Sequence, residues 1–172
     1  MKRVFLDTNI LVDYALGREH GDDAEQLLQR GLDGAVSLQA SYLTFANMAY
    51  ILKTKVDVYA LFGDLCSFIT ILPTDGVQLQ AALGQRVRDF EDMLQYQCAK
   101  AAGCDVIVTN NGCDFAEFSD LPIMTAEEML EAMNESFVYD TLTHHPSHGF
   151  APYGGFLFLY GRHPVHSLIY KL

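Results

Sequence analysis

Short apolar runs alternate with amphipathic stretches along the first 134 residues of this chain of 172 residues. The runs typical of strands are Lys2–Leu6, Ala35–Leu38, Phe68–Leu72, Val106–Thr109 and Leu121–Met124. The stretches with helical periodicity are Ile10–Ala15, Asp22–Gly34, Ser41–Lys53, Asp57–Cys66, Val77–Val87, Asp92–Ala102 and a last one after Thr125. Alternating strands and helices imply right-handed crossovers. The pattern therefore predicts an α/β fold whose parallel sheet is covered by helices on both faces.

Two helix starts and one helix face can be predicted in more detail. The segments Asp22–Glu25 and Thr125–Glu128 both have the spacing of a capping box. In the helix Ser41–Lys53 we expect an inward face made of Leu43, Ala46, Tyr50 and Leu52.

Charge divides the chain into two parts. The formal net charge is −11, from 22 acidic and 11 basic residues, and only four charged residues lie after Asn134. We therefore predict a domain over residues 1–134 and a C-terminal extension over residues 135–172. The acidity argues against a basic surface that binds nucleic acid along its whole length. It leaves open whether the acidic residues form a solvated surface or a metal site.

The extension is rich in histidine, glycine and aromatic residues. Phe156–Tyr160 and Val165–Tyr170 have the pattern of two strands joined by a four-residue turn, which predicts a β-hairpin. Its apolar surface would have to pack on the domain or on another chain, so it is a candidate surface for a homodimer or a partner. The histidines of His144–His148 could bind a transition metal, but we favour a polar linker.

Several features bear on the compartment. Half of the residues are apolar, yet no apolar run approaches the ~20 residues of a membrane-spanning helix. Asp7 and Asn9 interrupt any signal-peptide core, so we expect a cytoplasmic protein without a membrane segment. The four cysteines show neither a C-x-x-C pair nor zinc-ligand spacing, which predicts free thiols, most of them buried.

Polar residues follow the ends of two predicted strands. Asp7 ends the first, whereas Asn111 and Asp114 follow the strand Val106–Thr109. The carboxyl ends of parallel strands share one edge of the sheet, where functional residues collect. Asp92 opens a helix that we expect at the same edge. Each acid also has a plain structural interpretation, since Asp7 can cap a helix, Asp89 and Asp92 can form a capping box, and Asp114 can lie in a turn.

Three segments carry a family resemblance. They are Val4–Leu11 (VFLDTNIL), Asp89–Gln95 (DFEDMLQ) and Ile107–Phe115 (IVTNNGCDF). Together, in this order and spacing, they resemble PIN domains, in particular the VapC-type toxins of prokaryotic toxin–antitoxin pairs. The resemblance covers residues 1 to about 133 and implies a three-layer α/β/α sandwich with a central parallel sheet.

The resemblance also implies a function. PIN enzymes are ribonucleases that cleave single-stranded RNA at an acidic pocket holding Mg²⁺ or Mn²⁺, and the toxins are neutralised by a small antitoxin protein. The family pattern carries over to Asp7, Asp92 and Asp114 as metal-binding catalytic acids. We expect supporting roles for the neighbouring polar residues Thr8, Asn9, Asn47, Asp89, Thr109 and Asn111.

Two positions depart from the family pattern. The family usually has Glu where this chain has Asn47, and commonly Asp where it has Asn111. Each amide removes one negative charge, and Asp89 and Glu91 are nearby candidates to replace it. We expect an active nuclease, with a non-catalytic PIN fold that binds RNA or a partner as the alternative. A phosphatase that uses Asp7 as nucleophile is disfavoured, since Asn9 stands where a second acid is usual.

Overall fold

A computed structural model describes residues 1–143 of the chain, with side chains up to residue 135. The strands are β1 (Arg3–Leu6), β2 (Ser37–Ser41), β3 (Thr70–Leu72), β4 (Val106–Val108) and β5 (Ile123–Met124). The helices are α1 (Thr8–Leu16), α2 (Gly21–Leu32), α3 (Tyr42–Leu52), α4 (Val58–Leu65), α5 (Gly76–Leu83), α6 (Phe90–Ala101), α7 (Gly112–Ala116) and α8 (Ala126–Thr143).

The five strands form one sheet in the order β3-β2-β1-β4-β5, and every neighbouring pair is parallel. The chain moves outward from β1 through β2 and β3, and then returns to place β4 on the other side of β1. The strand order therefore reverses between β1 and β4, which is where open α/β sheets form a crevice for ligands. The predicted α/β fold with a parallel sheet is confirmed.

Helices cover the sheet in two groups, one formed by α1, α2 and α3 and the other by α5, α6 and α7. Side chains alternate between the two faces of a strand, so Phe5 points to the opposite side from Val4 and Leu6. Phe5 and Ile107 pack with Met93, Tyr96 and other buried residues of the second group. These buried layers on both sides of the sheet make the three-layer sandwich that the resemblance implied.

One of the two predicted capping boxes is wrong and the other is confirmed. Helix α2 begins at Gly21, and its N-cap residue, His20, makes no side-chain capping bond, so Asp22 lies inside the first turn. At the start of α8, the Thr125 amide donates to Glu128 Oε2 at 2.8 Å, and the Glu128 amide donates to Thr125 Oγ1 at 3.1 Å. Gly34, with φ of 73°, follows the end of α2 as predicted.

The inward face of α3 differs from the prediction. Ala46 and Tyr50 are exposed, and Tyr50 retains 74% of its accessible surface. The reason is that α3 turns a different stripe toward α1 and β2, and Phe45 also stacks edge-on against Phe62 of α4. The residues of this buried stripe are Thr44, Phe45, Met48 and Leu52.

Two further segments differ in type or length. Helix α5 ends at Leu83, four residues before the predicted end, and a glycine caps it there. The predicted polar loop after β4 contains the short helix α7. Both differences concern segments of one or two turns, where tertiary packing outweighs local pattern.

The predictions for cysteines are confirmed only in part. All four are free thiols, but only Cys98 and Cys104 are buried, whereas Cys66 and Cys113 are exposed. No helix in the described part of the chain is both long and apolar enough to cross a membrane.

The chain separates into two compact units, Met1–Leu130 and Glu131–Leu172. The predicted boundary after Asn134 stays a prediction. The histidine-rich segment His144–His148 and the predicted hairpin over residues 156–170 lie outside the described residues.

Candidate active site

Asp7 stands at the end of β1 and caps α1. Its Oδ1 accepts hydrogen bonds from the Thr8 amide and from Gln95 Nε2, the latter at 3.0 Å. Its Oδ2 accepts from Asn9 Nδ2 and from Thr109 Oγ1, both at 2.7 Å. Four donors thus fix a carboxylate that is only 4% exposed. The cap interpretation and a functional role are compatible, because capping uses only one of the four bonds.

Gln95 on α6 is a site residue that sequence reasoning missed. It is fully buried, and its Oε1 accepts from Thr44 Oγ1 of α3 at 3.0 Å. Since that bond occupies the amide oxygen, the amide nitrogen faces the acids and donates to Asp7 and to Glu91 Oε1, the latter at 2.8 Å. The available signal was helical spacing, because Gln95 lies four residues after Glu91 and three after Asp92.

The start of α6 contributes three carboxylates. Asp89 is the N-cap, and its Oδ1 accepts from the amides of Glu91 and Asp92. One ligand atom from each of the three residues lies within 4.8 Å of the others. Asp89 is therefore a helix cap and part of an acidic cluster, but the capping box of the alternative interpretation does not form, because the Asp92 side chain does not accept from the Asp89 amide.

The Asp92 carboxylate has no hydrogen-bond donor among the described residues. The residue as a whole is 8% exposed, but its carboxylate oxygens keep contact with solvent, because no buried side-chain oxygen of the described residues lacks a partner. Partial burial raises its pKa to about 7, helped by the charges of Asp7, Asp89, Glu91 and Asp114. Partial burial beside other acids disfavours the charged form, so a bound proton or cation would stabilise this carboxylate.

Burial also raises the pKa of the two other acids that face this point. The pKa of Glu91 rises to about 7 through burial and the charges of Asp7 and Asp89, against the hydrogen bonds from Asn47 and Gln95. The pKa of Asp7 is raised by burial, although its hydrogen bonds oppose the shift. Neutral amides and hydroxyls, rather than cationic side chains, are thus the partners of these carboxylates.

The loop after β4 closes the pocket from the other side of the crevice. Thr109 is fully buried and joins Asp7 to the Asn111 amide, which donates to Thr109 Oγ1 at 3.0 Å. Asp114, in α7, is half-buried and acts through its charge on Asp7 and Asp92. The Asn111 side chain is exposed and makes no hydrogen bond to another described side chain.

Asn47 lies on α3, as predicted, and faces the acidic cluster. Its Nδ2 donates to Glu91 Oε1 at 2.6 Å. Asn110, which precedes Asn111 in the loop after β4, points away from the acidic cluster. Its Nδ2 donates to Asp13 Oδ2 at 2.8 Å and so connects this loop to α1.

The structure therefore brings Asp7, Asp92 and Asp114 into one electrostatically coupled group, with Glu91 and Asp89 beside them. The atoms that these residues offer to a metal are all carboxylate oxygens, which are the ligands that Mg²⁺ and Mn²⁺ prefer. These oxygens fit a hard divalent cation, since the Asp92 carboxylate also has no hydrogen-bond donor among the described residues.

Comparisons with known proteins relate the chain to one family. Residues 3–112 match the family model of the PIN domain. Ribonuclease VapC1 from Aquifex aeolicus is 27% identical over 142 residues, which cover 77% of this chain and 96% of that protein.

Solved structures with the same fold include several toxin–antitoxin proteins. VapBC2 from Rickettsia felis, bound to a DNA fragment from its promoter, has a TM-score of 0.55 at 20% identity, covering 72% of this chain and 98% of that one. A toxin–antitoxin complex from Klebsiella pneumoniae has a TM-score of 0.57 at 21% identity, with 72% and 97% covered. VapC20 from Mycobacterium tuberculosis, described as a toxin that cleaves the Sarcin-Ricin loop, has a TM-score of 0.52 at 11% identity, with 69% and 98% covered.

These matches confirm the resemblance that the three sequence segments carry. Because the family model covers well over half of the chain, and the sheet order and acidic crevice agree with it, the chain belongs to the PIN domain family.

Proposed function

We propose that this protein is a metal-dependent endoribonuclease and the toxin of a toxin–antitoxin pair. The observation that carries the proposal is the Asp92 carboxylate, which has no donor among the described residues and lies among further acids in a PIN fold. The similarity to Ribonuclease VapC1 supports a ribonuclease, and the similarity to VapBC structures supports an antitoxin partner.

Asp7, Asp92 and Asp114 are the residues that would hold Mg²⁺ or Mn²⁺. When bound there, the cation supplies positive charge that polarises a scissile phosphate and makes a water molecule more acidic. Asp7 contributes as a fixed charge rather than as a nucleophile, since hydrogen bonds from Thr109, Gln95 and Asn9 engage both of its oxygens. This arrangement also argues against the phosphatase alternative, because Asn9 serves as a donor to Asp7 where a second acid would be needed.

The protein's own groups prepare the pocket for this chemistry. Thr109, Asn9 and Gln95 hold the buried Asp7 in one position, so little reorganisation is needed when RNA binds. Without metal, carboxylates with a pKa of about 7 are partly protonated near neutral pH, so binding of the cation would release protons.

The test is cleavage of a labelled single-stranded RNA by the full-length chain, with Mg²⁺, Mn²⁺ or excess EDTA. We expect cleavage that requires the cation and that falls at least about 100-fold in the Asp7→Asn variant. Asp22→Asn, at an exposed position on α2, is the matched control and should cleave normally. Cleavage in EDTA at the full rate would refute metal dependence.

The non-catalytic alternative makes the opposite prediction. It requires full-strength binding of RNA or antitoxin together with no cleavage and no uptake of Mn²⁺. The toxin role is tested separately, by growth arrest on expression and by relief of that arrest when the product of a neighbouring gene is co-expressed. Homodimer formation stays a prediction, which light scattering of the purified chain tests.

A further inference from the structure

The neutral residue Asn47 has a specific carboxylate partner across the pocket. Its amide nitrogen lies 2.6 Å from Glu91 Oε1, which joins α3 to α6. An amide nitrogen only donates, so this short contact requires an acceptor at position 91. The place on α3 where the family usually has an acid is thus filled by a donor that holds an acid from another helix.

A second amide holds the same oxygen of Glu91. Gln95 Nε2 donates to Glu91 Oε1 at 2.8 Å and to Asp7 Oδ1 at 3.0 Å. Its orientation is set by Thr44, which donates to the Gln95 oxygen and is itself bonded to Ser41 Oγ at 3.0 Å. Glu91 is therefore placed from two helices, and its position is coupled to that of Asp7.

Both of these bonds use one oxygen of Glu91. Among the described residues, no hydrogen bond or ion pair reaches Glu91 Oε2. Glu91 and Asp92 nevertheless offer ligand atoms within 4.8 Å of each other, and the Asp92 carboxylate has no donor among the described residues. Glu91 is thus anchored through one oxygen, and its other oxygen is available to a cation.

Building on the proposed function, we propose that Glu91 supplies the carboxylate missing at position 47 and that Asn47 is its positioning residue. In this arrangement the acid stands on α6 instead of α3, and it restores one of the two charges that Asn47 and Asn111 remove relative to the family pattern. Asp89 is the less suitable substitute, because it is exposed and its Oδ1 already caps α6.

The experiment is titration of the full-length chain with Mn²⁺ in a calorimeter, with an RNA cleavage assay run in parallel. Glu91→Gln removes the charge but keeps an oxygen that can accept from Asn47 and Gln95, so the fold should persist. We expect its Mn²⁺ affinity to fall at least about tenfold, as is typical when a group around a metal is lost. Asp89→Asn, which retains capping ability, should lower the affinity less than Glu91→Gln does, and Asp22→Asn, at an exposed position on α2, is the control that should leave it unchanged.

The double variant Asn47→Glu with Glu91→Gln returns the acid to α3. We expect it to recover most of the Mn²⁺ affinity that Glu91→Gln loses, whereas Asn47→Ala should lower the affinity about tenfold while Glu91 is still present. Unfolding midpoints of all variants, measured in EDTA, show whether any loss reflects misfolding.

The outcomes separate this inference from the proposed function. No Mn²⁺ binding by the wild type would overturn both. Binding by the wild type that Glu91→Gln leaves unchanged, or that only Asp89→Asn weakens, would overturn the role of Glu91 and leave the nuclease intact. Failure of the double variant to recover affinity, with its fold preserved, would show that the charge is not interchangeable between the two helices.

Discussion

Replacing Gln95 by leucine tests whether this residue holds the acidic pocket together. Leucine has a similar size and suits the fully buried position. The change removes the bond accepted from Thr44 and the bonds donated to Asp7 and Glu91. Thr44, Glu91 and Asp7 each keep another hydrogen bond, whereas the long contact from Gln95 Nε2 to Thr8 Oγ1, at 3.5 Å, is lost as well.

The expected loss follows from these three bonds. A neutral hydrogen bond contributes about 1 kcal/mol, and one to a charged group about 1.5–3 kcal/mol. Glu91 is partly exposed and Asp7 retains three other donors, so the lower ends of these ranges apply. Burial of the leucine side chain returns about 1–2 kcal/mol. We therefore expect Gln95→Leu to lower the free energy of unfolding by about 2–3 kcal/mol.

The assay is urea denaturation of the full-length chain at pH 8 in EDTA, where most of the carboxylates are ionised. With a typical urea dependence of about 1–3 kcal/mol per molar, the midpoint should fall by about 1–2 M. The matched control is Gln97→Leu on the same helix, where the lost bond is a weak one to Met93 Sδ at 3.4 Å. This variant should stay within about 1 kcal/mol of the wild type.

The effect of Gln95→Leu should shrink at pH 5.5. Below a pKa of about 7 the Glu91 carboxyl is mostly protonated, and a bond to a neutral group contributes less. Equal losses for Gln95→Leu and Gln97→Leu at pH 8 would refute the reasoning that Gln95 holds the two carboxylates.

Three more predictions follow from other features. Two site carboxylates have a folded-state pKa of about 7, above the usual value near 4. The chain without metal should therefore lose stability as pH rises from about 4 to 7. Mn²⁺ should raise Tm more at pH 8 than at pH 5.5, and equal Tm increases at the two pH values would contradict this. Arg86 and Arg88 are exposed just before α6. Replacing both by alanine should weaken RNA binding in EDTA and reduce the slope of log K against log salt concentration by up to about 1.4. The control Arg30→Ala on α2 should change neither quantity. A Cβ at Gly31 would lie 2.2 Å from Leu38 Cδ1, so Gly31→Ala should cost about 1–2 kcal/mol in urea denaturation, and a neutral effect would show that Leu38 can move aside.

Local sequence was sufficient for the elements with strong periodic or capping signals. The apolar run before Asp7, the β-branched strand Val106–Val108 and the capping box at Thr125 all form as the sequence predicts. These signals are local, because strand and helix periodicity and the capping bonds involve residues close in the chain. Helix α2 shows where such a signal fails, since the capping pattern at Asp22 falls inside a helix that already starts at Gly21.

The edge of the sheet could also be predicted, because parallel strands bring their carboxyl ends together. That rule places Asp7 and the loop after β4 on either side of one crevice, since β1 and β4 are neighbours. It does not determine which side chains face each other across the crevice.

Tertiary structure alone decided the partners within the pocket. Residues 47 and 91 lie far apart in the chain, so nothing local could show that the amide of Asn47 donates to Glu91. Nor could it show that Gln95 holds both Glu91 and Asp7. The sequence by itself determined that acidic residues collect at the β1–β4 edge and that position 47 has no charge. Only the tertiary fold, which brings side chains of α3 and α6 together, decided that another carboxylate lies beside that position, because hydrogen-bond partners depend on distances that the fold sets.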